Sequence, residues 1–280
     1  MATILDGKTL SEKLLNNIKN EIIENNYKPS LAVTIVGEDS ASQIYVKRKN
    51  ETAQLLGINS NVLRFAENIS QNELETEIKK LADDQNTHAI LVQLPLPKHI
   101  DTQKIIETIP PQKDVDGFHP YNLGQLFSGN SPYATACTPK GIMTLLSEYN
   151  IDPAGKNVVI VGRSTIVGKP LAALFINANA TVTICHSKTQ NLKEICKTAD
   201  ILVSAIGKAK FFNKDFIKEN AIVIDVGINR KEDGKLTGDI DFEDVKNQTS
   251  HITPVPKGVG PMTIATLMQN TLDLYKNFAK

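Results

Sequence analysis

VVIVGRSTIVGKP, residues 158–170, joins a short apolar run to a turn with glycines and then to a helix start. This order is typical of dinucleotide-binding folds, in which glycine lets the backbone approach a pyrophosphate at a helix N-terminus. The spacing departs from GxGxxG, because Gly162 and Gly168 are six residues apart and Arg163-Ser164 follows the first glycine. Taken alone, the segment is also compatible with an ordinary strand-to-helix junction.

The next strand narrows the choice of dinucleotide. In an NAD-binding fold, an acidic residue near the end of this strand binds the ribose 2′-hydroxyl. Here TVTIC (181–185) is followed by His186-Ser187-Lys188-Thr189, which contains no carboxylate. Arg, Ser and Lys side chains bind a 2′-phosphate that a carboxylate would repel. The sequence therefore favours NADP over NAD, although 186–189 would also suit a solvated loop.

Outward from this segment, apolar strands alternate with helical patterns, and repeated βα units imply mainly parallel sheets covered by helices. The predicted fold class is α/β with two domains. Residues 138–255 form a Rossmann-like NADP domain. Residues 1–120 form an α/β catalytic domain, onto which a last helix at 262–280 packs. Residues 121–137 have little periodicity and are predicted to connect the domains. We expect the active-site cleft between them.

Composition excludes several classes of function. The 280 residues carry 31 basic and 31 acidic side chains, so no net charge drives general binding to nucleic acid or anionic membranes. No apolar run approaches the ~20 residues that span a bilayer, and MATILDGKTLSEKLL shows no secretory signal. Three cysteines without a CxxC pair and five histidines without HExxH spacing predict no disulfide framework and no metal site. A reducing cytoplasm fits best.

Candidate substrate residues lie at strand ends and on one helix. Tyr45 and Lys49 are four residues apart in the helix predicted at 40–56 and therefore share a face, although a surface lysine is the simpler interpretation. Gln93 ends an apolar strand, where its amide would lie at the carboxyl edge of the sheet. The alternative interpretation is that Gln93 is an ordinary surface residue at the end of a strand.

Two loops add further candidates. KDVDGF (113–118) contains Asp114 and Asp116, which are either turn formers or a carboxylate that accepts two hydrogen bonds from a heterocycle edge. TPVPKGVGPMT (253–263) predicts a stiff loop with exposed backbone amides, or merely a chain reversal.

In their order along the chain, these windows closely resemble the bifunctional methylenetetrahydrofolate dehydrogenase/methenyltetrahydrofolate cyclohydrolase family. The matching pieces span nearly the whole chain: Tyr45-x3-Lys49, VQLPLP (92–97), KDVDGF (113–118), CTPKG (137–141), IVGRSTIVGKP (160–170), CHSKT (185–189), DVGIN (225–229), GDIDF (238–242) and TPVPKGVGPMT (253–263). One departure is Lys257, which stands where the family usually has glycine.

The resemblance implies NADP-dependent oxidation of 5,10-methylenetetrahydrofolate and hydrolysis of the methenyl product to 10-formyltetrahydrofolate, in one-carbon metabolism and purine biosynthesis. It implies tetrahydrofolate derivatives as partners and a homodimer. Lys49 resembles the catalytic lysine, Tyr45 and Gln93 its orienting neighbours, and Asp116 the pterin-binding carboxylate. The further implied folate contacts are Val92, Leu94, Pro256, Lys257, Gly258, Val259 and Gly260. The implied cofactor contacts are Gly162, Arg163, Ser164, Ser187 and Ile228.

This assignment is chemically consistent. Adjacent N–H donors of a pterin suit a bidentate carboxylate, and one lysine could accept a proton from water and return it to the leaving nitrogen. Three alternatives stay open: a dehydrogenase with little cyclohydrolase activity, use of NAD, and a non-catalytic NADP-binding module. The last would have no reason to keep Lys49, Gln93 and Asp116 together.

Overall fold

The computed structural model describes residues 2–231 and 233–278. The helices in this part of the chain are α1 (Gly7–Glu24), α2 (Ser40–Leu55), α3 (Gln71–Asp83), α4 (Thr102–Thr108), α5 (Pro120–Phe127), α6 (Cys137–Glu148), α7 (Gly168–Asn177), α8 (Leu192–Cys196), α9 (Phe242–Val245) and α10 (Val259–Phe278). The strands are β1 (Thr3–Ile4), β2 (Ser30–Val36), β3 (Asn59–Phe65), β4 (Ala89–Val92), β5 (Asn157–Val161), β6 (Thr181–Cys185), β7 (Ile201–Ser204), β8 (Ile222–Asp225), β9 (Asn229–Arg230), β10 (Leu236–Thr237) and β11 (His251–Ile252).

The chain forms two compact units. One contains the residues up to Glu12 and Cys137–Thr263, and the other contains Lys13–Ala136 and the chain from Ile264 onward. Each unit has its own sheet, and helices alternate with strands in both, so the predicted α/β class is confirmed. Residues 279 and 280, at the end of the predicted catalytic domain, lie outside the described residues.

The first sheet has three parallel strands in the order β3-β2-β4. Strand β2 is central, and Val33 pairs with Val62 on one side and Leu91 on the other. Strand β4 is buried throughout, as expected of a short apolar run in a covered parallel sheet. Helix α2 starts where the Asp39 carboxylate accepts the backbone N–H of Ser42 at 2.8 Å. This cap fixes the start of the helix that carries Tyr45 and Lys49.

The second sheet has six strands in the order β1-β11-β8-β7-β5-β6, and every pairing in it is parallel. Strands β9 and β10 form a separate antiparallel pair. The order reverses at β5, whose neighbours are β6 and β7, and this is the switch point at which doubly wound sheets bind dinucleotides.

The division of the chain differs from the predicted domains. Residues 3–4 belong with the six-stranded sheet, because Thr3 pairs with His251 and Ile4 with Ile252. A two-residue strand is too short to show periodicity, so the sequence pattern could not place it. The division also falls inside α10, after Thr263.

The prediction that 121–137 is an inter-domain connection is wrong for its first half. Helix α5 occupies Pro120–Phe127 and groups with the three-stranded sheet. His119 caps the helix by accepting the N–H of Tyr121 at 3.0 Å on Nδ1, and Pro120 stands in its first turn. A histidine cap is not among the usual N-terminal signals, which explains the missed helix.

Candidate active site

Lys49 and Gln93 meet at the carboxyl edge of the three-stranded sheet. The backbone N–H of Gln93 donates to the carbonyl of Thr34 at 2.8 Å, which places it directly after β4. The half-buried Lys49 donates from Nζ to Oε1 of Gln93 at 3.0 Å. Nε2 of Gln93 donates to the carbonyl of Leu94 at 2.7 Å. The amide is therefore held at both ends, and it holds Nζ of Lys49 in turn.

Tyr45 lies one turn before Lys49 on α2 and is also half-buried. The two side chains share a face of the helix, as the spacing predicts. Val92 is the buried last residue of β4, and Leu94 is half-buried just beyond Gln93. Val92 and Leu94 are thus the chain neighbours of Gln93, and Tyr45 is the helix neighbour of Lys49.

The two aspartates of KDVDGF have different environments. Asp114 is buried, and its Oδ2 accepts the N–H of His119 at 2.8 Å and Nδ2 of Asn122 at 3.0 Å. Burial raises the pKa of the Asp114 carboxyl. Asp116 is half-buried. Asp114 therefore serves as an internal anchor for the loop, and Asp116 is the carboxylate with an accessible part.

The register of this loop brings Asp116 to the end of β4, the strand that Gln93 follows. Asp114 forms a parallel bridge with Ile90, so the chain runs from there in the direction of β4. Gly117 follows with a φ of +67°, and a Cβ there would lie 2.7 Å from the backbone nitrogen of Ala136. Nδ2 of Asn270 in α10 donates at 2.9 Å to the carbonyl of Val115. Lys49, Gln93 and Asp116 thus lie at one sheet edge.

The predicted folate loop 256–260 belongs to the unit with the six-stranded sheet. Gly258 and Val259 are buried, whereas Pro256 and Lys257 are exposed and Gly260 is intermediate. Lys257 has a φ of +86°, in the region that favours glycine. Its carbonyl accepts the N–H of Lys8 at 2.9 Å, and its charge contributes to lowering the pKa of Asp6, an effect that comes mainly from hydrogen bonds of Thr9.

The glycine turn after β5 is shaped by close backbone approaches. Gly162 has a φ of +136°, and a Cβ there would lie 2.5 Å from the carbonyl oxygen of Ala205. A Cβ on Gly168 would lie 2.0 Å from the carbonyl oxygen of Gly162. Both positions require glycine, and the turn leads directly into α7. Arg163 and Ser164 are exposed, and Ser164 Oγ accepts the N–H of Val167 at 3.2 Å.

The loop after β6 presents polar groups without a carboxylate. It is closed by the N–H of His186, which donates to Oγ1 of Thr189 at 2.8 Å, and Ser187 and Lys188 are exposed. This donor set, together with Arg163, fits the phosphate of NADP better than the free 2′-hydroxyl of NAD. Ile228, after β8, is 45% exposed.

Two buried aspartates near this edge have no role in the sequence-based interpretation, although DVGIN and GDIDF contain them. Asp225 ends β8 and accepts the N–H groups of Gly227, Asp239 and Ile240 at 2.8–3.0 Å. Burial, together with the negative charge of Asp239, raises the pKa of Asp225 to about 6. The signal in the sequence is an aspartate directly after a glycine in GDIDF and an aspartate two residues before a glycine in DVGIN.

Two further features are absent from the described residues, a metal-binding cluster and a membrane-spanning helix. No group of three or more His, Cys, Asp or Glu side chains at 2–231 and 233–278 could hold a metal ion. No described helix is both long and apolar enough to cross a bilayer.

Comparisons with known proteins agree with this geometry. Residues 5–116 match the family model "Tetrahydrofolate dehydrogenase/cyclohydrolase, catalytic domain", and residues 136–279 match the NAD(P)-binding domain of the same family. The chain is 54% identical to the bifunctional protein FolD of Nautilia profundicola, with 99% of each chain covered.

Solved structures give the same result. The Campylobacter jejuni bifunctional enzyme FolD is 48% identical, with a TM-score of 0.96 and 99% of each chain covered. The Trypanosoma brucei dehydrogenase-cyclohydrolase, solved with NADP cofactor and inhibitor, is 36% identical with a TM-score of 0.95, covering 100% of this chain and 99% of that one.

Proposed function

We infer the function from the premise that this chain belongs to the tetrahydrofolate dehydrogenase/cyclohydrolase family. It is a bifunctional enzyme that oxidises 5,10-methylenetetrahydrofolate to 5,10-methenyltetrahydrofolate with NADP and hydrolyses the product to 10-formyltetrahydrofolate. The observation that supports this best is the 3.0 Å contact between Lys49 Nζ and Gln93 Oε1 at the sheet edge that Asp116 shares.

Lys49 is our candidate for the proton transfers of the hydrolysis. The attacking water must lose a proton, and the ring nitrogen must gain one when the C–N bond breaks. Lys49 accepts the first proton on Nζ and donates the second from the same atom. Gln93 keeps Nζ in place through its amide oxygen, and Tyr45 borders it one turn away on α2. Such positioning accounts for much of the acceleration in reactions of this kind.

Asp116 is our candidate for binding the pterin. A carboxylate accepts two parallel hydrogen bonds from adjacent N–H donors, which fixes both the position and the rotation of the heterocycle. Val92 and Leu94 supply apolar surface beside it. We assign Pro256, Lys257, Gly258, Val259 and Gly260 as further folate contacts on the basis of the family resemblance.

The cofactor assignment uses the edge of the six-stranded sheet. NADP, when bound, accepts the hydride from the folate carbon. Gly162 leaves room for the pyrophosphate at the start of α7, and Ser164 lines this turn. Arg163 and Ser187 bind the 2′-phosphate, while Ile228 contacts the cofactor with its exposed side chain.

The cellular setting is proposed on narrower grounds. Three cysteines, Cys137, Cys185 and Cys196, are buried as free thiols, which suits a reducing cytoplasm. A homodimer and a supply of formyl groups to purine biosynthesis follow from the family resemblance. Sedimentation of the purified protein tests the homodimer, because a monomer over a wide concentration range would contradict it.

A two-wavelength assay tests the main proposal. Purified protein receives methylenetetrahydrofolate with NADP, then with NAD, while reduced nicotinamide and methenyltetrahydrofolate are followed together. We expect NADPH to form with little accumulation of methenyltetrahydrofolate. Persistent stoichiometric methenyltetrahydrofolate would leave only a dehydrogenase, a preference for NAD would contradict the cofactor assignment, and no reduction by folded protein would refute the enzyme.

A further inference from the structure

Asp239 is a completely buried carboxylate with five hydrogen-bond donors around it. Its Oδ2 accepts Ser204 Oγ at 2.9 Å and the N–H groups of Ile206 and Gly207 at 2.8 and 3.2 Å. Its Oδ1 accepts the N–H of Lys208 at 2.8 Å and Nδ2 of Asn229 at 3.0 Å. Since burying a carboxylate is costly unless its oxygens are hydrogen-bonded, this set compensates the charge.

These donors belong to two different loops. Ser204 ends β7, and residues 206–208 form the loop that follows it. Asn229 begins β9, directly after the segment that leaves β8. One carboxylate therefore ties together the two loops that extend from the carboxyl ends of adjacent parallel strands, where ligands of such sheets bind.

Both loops border the proposed cofactor contacts. Ala205, in the first loop, is the residue whose carbonyl oxygen lies 2.5 Å from the Cβ that Gly162 lacks. In the second loop, Ile228 is held on both sides, because Asp225 accepts the N–H of Gly227 at 2.9 Å and Asp239 accepts the side chain of Asn229. The exposed Ile228 therefore has a fixed backbone.

Asp225 and Asp239 each pack against a glycine that is close in sequence to the other aspartate. A Cβ on Gly227 would lie 2.2 Å from Oδ1 of Asp239, and a Cβ on Gly238 would lie 1.8 Å from Oδ2 of Asp225. The Asp239 carboxylate thus fills the space that a side chain at position 227 would need, and the Asp225 carboxylate fills the space that a side chain at position 238 would need. This packing leaves no room for a longer side chain at position 239.

The position of these two loops along the six-stranded sheet indicates which half of NADP lies over them. The 2′-phosphate of NADP belongs to the adenosine half, which lies over the end of β6 in folds of this kind. The sheet continues from β5 to β7 and β8, so the nicotinamide half extends toward the loops that Asp239 joins.

We propose that Asp239 is a positioning residue for the dehydrogenase reaction, which fixes the loops after β7 and β8 as one surface under the nicotinamide half of NADP. This role for Asp239 rests on the dehydrogenase activity proposed above. The cyclohydrolase reaction involves no hydride transfer, and the residues assigned to it, Lys49 and Gln93, lie in the other unit. Loss of the carboxylate should therefore separate the two activities.

Asp239→Asn is the direct test, because asparagine has nearly the same shape. In the wild type both carboxylate oxygens of Asp239 accept hydrogen bonds. Whichever way the asparagine amide is oriented, its NH2 group replaces one of these oxygens and points at a hydrogen-bond donor. We expect the KM for NADP to rise about tenfold or more. Hydrolysis of added methenyltetrahydrofolate should stay within about twofold of wild type. A wild type that reduces no NADP would refute the proposed function and not this inference alone.

Two further variants complete the test. Asp241→Asn is the matched control, since Asp241 lies two residues away and its carboxylate makes an exposed ion pair with Lys210 at 3.0 Å. It should change neither activity. Asn229→Ala removes one of the five donors and should raise the KM for NADP about threefold. If Asp239→Asn does not fold, the KM of the milder variant Asn229→Ala for NADP decides whether the inference holds.

The outcomes that overturn the inference are specific. A folded Asp239→Asn enzyme with wild-type KM for NADP would refute it. A parallel fall of dehydrogenase and cyclohydrolase activities would indicate a purely structural role and would refute it equally. A selective rise in the KM for NADP in Asp239→Asn and Asn229→Ala, with Asp241→Asn unchanged, supports it.

Discussion

The carboxyl edges of the two sheets are built in opposite ways. At the edge of the three-stranded sheet, the groups assigned to the chemistry are side chains, and Lys49 is held by its contact with the amide of Gln93. At the edge of the six-stranded sheet, the buried Asp225 and Asp239 hold backbone loops and make no contribution of their own to the surface. The edge of the three-stranded sheet carries the reactive side chains, whereas the buried carboxylates at the edge of the six-stranded sheet fix the conformation of its loops. Substitutions should therefore affect the two activities separately.

The largest effect should come from Lys49→Ala. Removal of the only amine assigned to the proton transfers should lower cyclohydrolase kcat by about 10²–10⁴-fold, the usual range for general acid–base catalysis. Binding of NADP, measured by fluorescence titration, should be unchanged. The matched control is Lys47→Ala on the same helix, because the side chain of Lys47 is 74% exposed. Hydrolysis by Lys49→Ala at near wild-type rate would show that another group transfers the protons.

Gly162→Ala should affect the other edge. The new Cβ would lie 2.5 Å from the carbonyl oxygen of Ala205, at a φ of +136° that alanine rarely adopts. We expect NADP affinity to fall by at least about tenfold, since a strain of roughly 1–3 kcal/mol acts at the cofactor turn. Gly155→Ala is the control, because Gly155 also has a positive φ but no atom within 4 Å of its Cβ position. Equal losses of NADP affinity in both variants would contradict a local effect.

The buried pair should also produce a measurable pH dependence of stability. The pKa of Asp225 is raised to about 6, so in the folded state this group binds its proton more tightly than in the unfolded chain. As pH rises from about 4 to 6, Asp225 ionises in the unfolded chain before it does in the folded protein, so the free energy of unfolding falls by roughly 3 kcal/mol. Above that range the contribution is constant.

Asp225→Asn isolates this contribution from those of other carboxyl groups. The stability of the variant relative to wild type should improve between pH 4 and pH 7, as measured by urea unfolding at each pH. A pH-independent difference would mean that Asp225 ionises in the folded protein at its ordinary pKa.

The smallest effect concerns cofactor choice. Arg163→Ala removes an exposed guanidinium assigned to the 2′-phosphate, so the KM for NADP should rise about five- to tenfold. The KM for NAD, which lacks that phosphate, should stay nearly constant. The ratio of the two constants is the measurement, and an equal rise for both cofactors would place Arg163 elsewhere on the dinucleotide.

The comparison of the two edges also explains what the sequence predicts well. Strands β2, β4 and β5 are continuous apolar runs bounded by turn residues, and they form where these patterns indicate. Tyr45 and Lys49 share a helix face because four residues make about one turn. Gln93 lies at a sheet edge because its strand ends there. All these features depend on local spacing.

Features that depend on long-range contacts could not be predicted in this way. The hydrogen bond from Lys49 to Gln93 joins residues far apart in the chain, and local patterns do not specify it. The local pattern around Asp114 and Asp116 does not distinguish the two carboxylates, whereas their burial does. The five donors to Asp239 come from two separate segments, 204–208 and Asn229, so its role becomes visible only when these segments meet.

The pairing of β1 with β11 has a consequence for biosynthesis. Thr3 is synthesised 248 residues before its partner His251. At elongation rates of about 5–20 residues per second, this strand stays unpaired for tens of seconds. Lys13–Ala136 is synthesised completely in the meantime. Strand β1 is therefore without its partner throughout this interval, in which chaperones that act on the emerging chain can bind it.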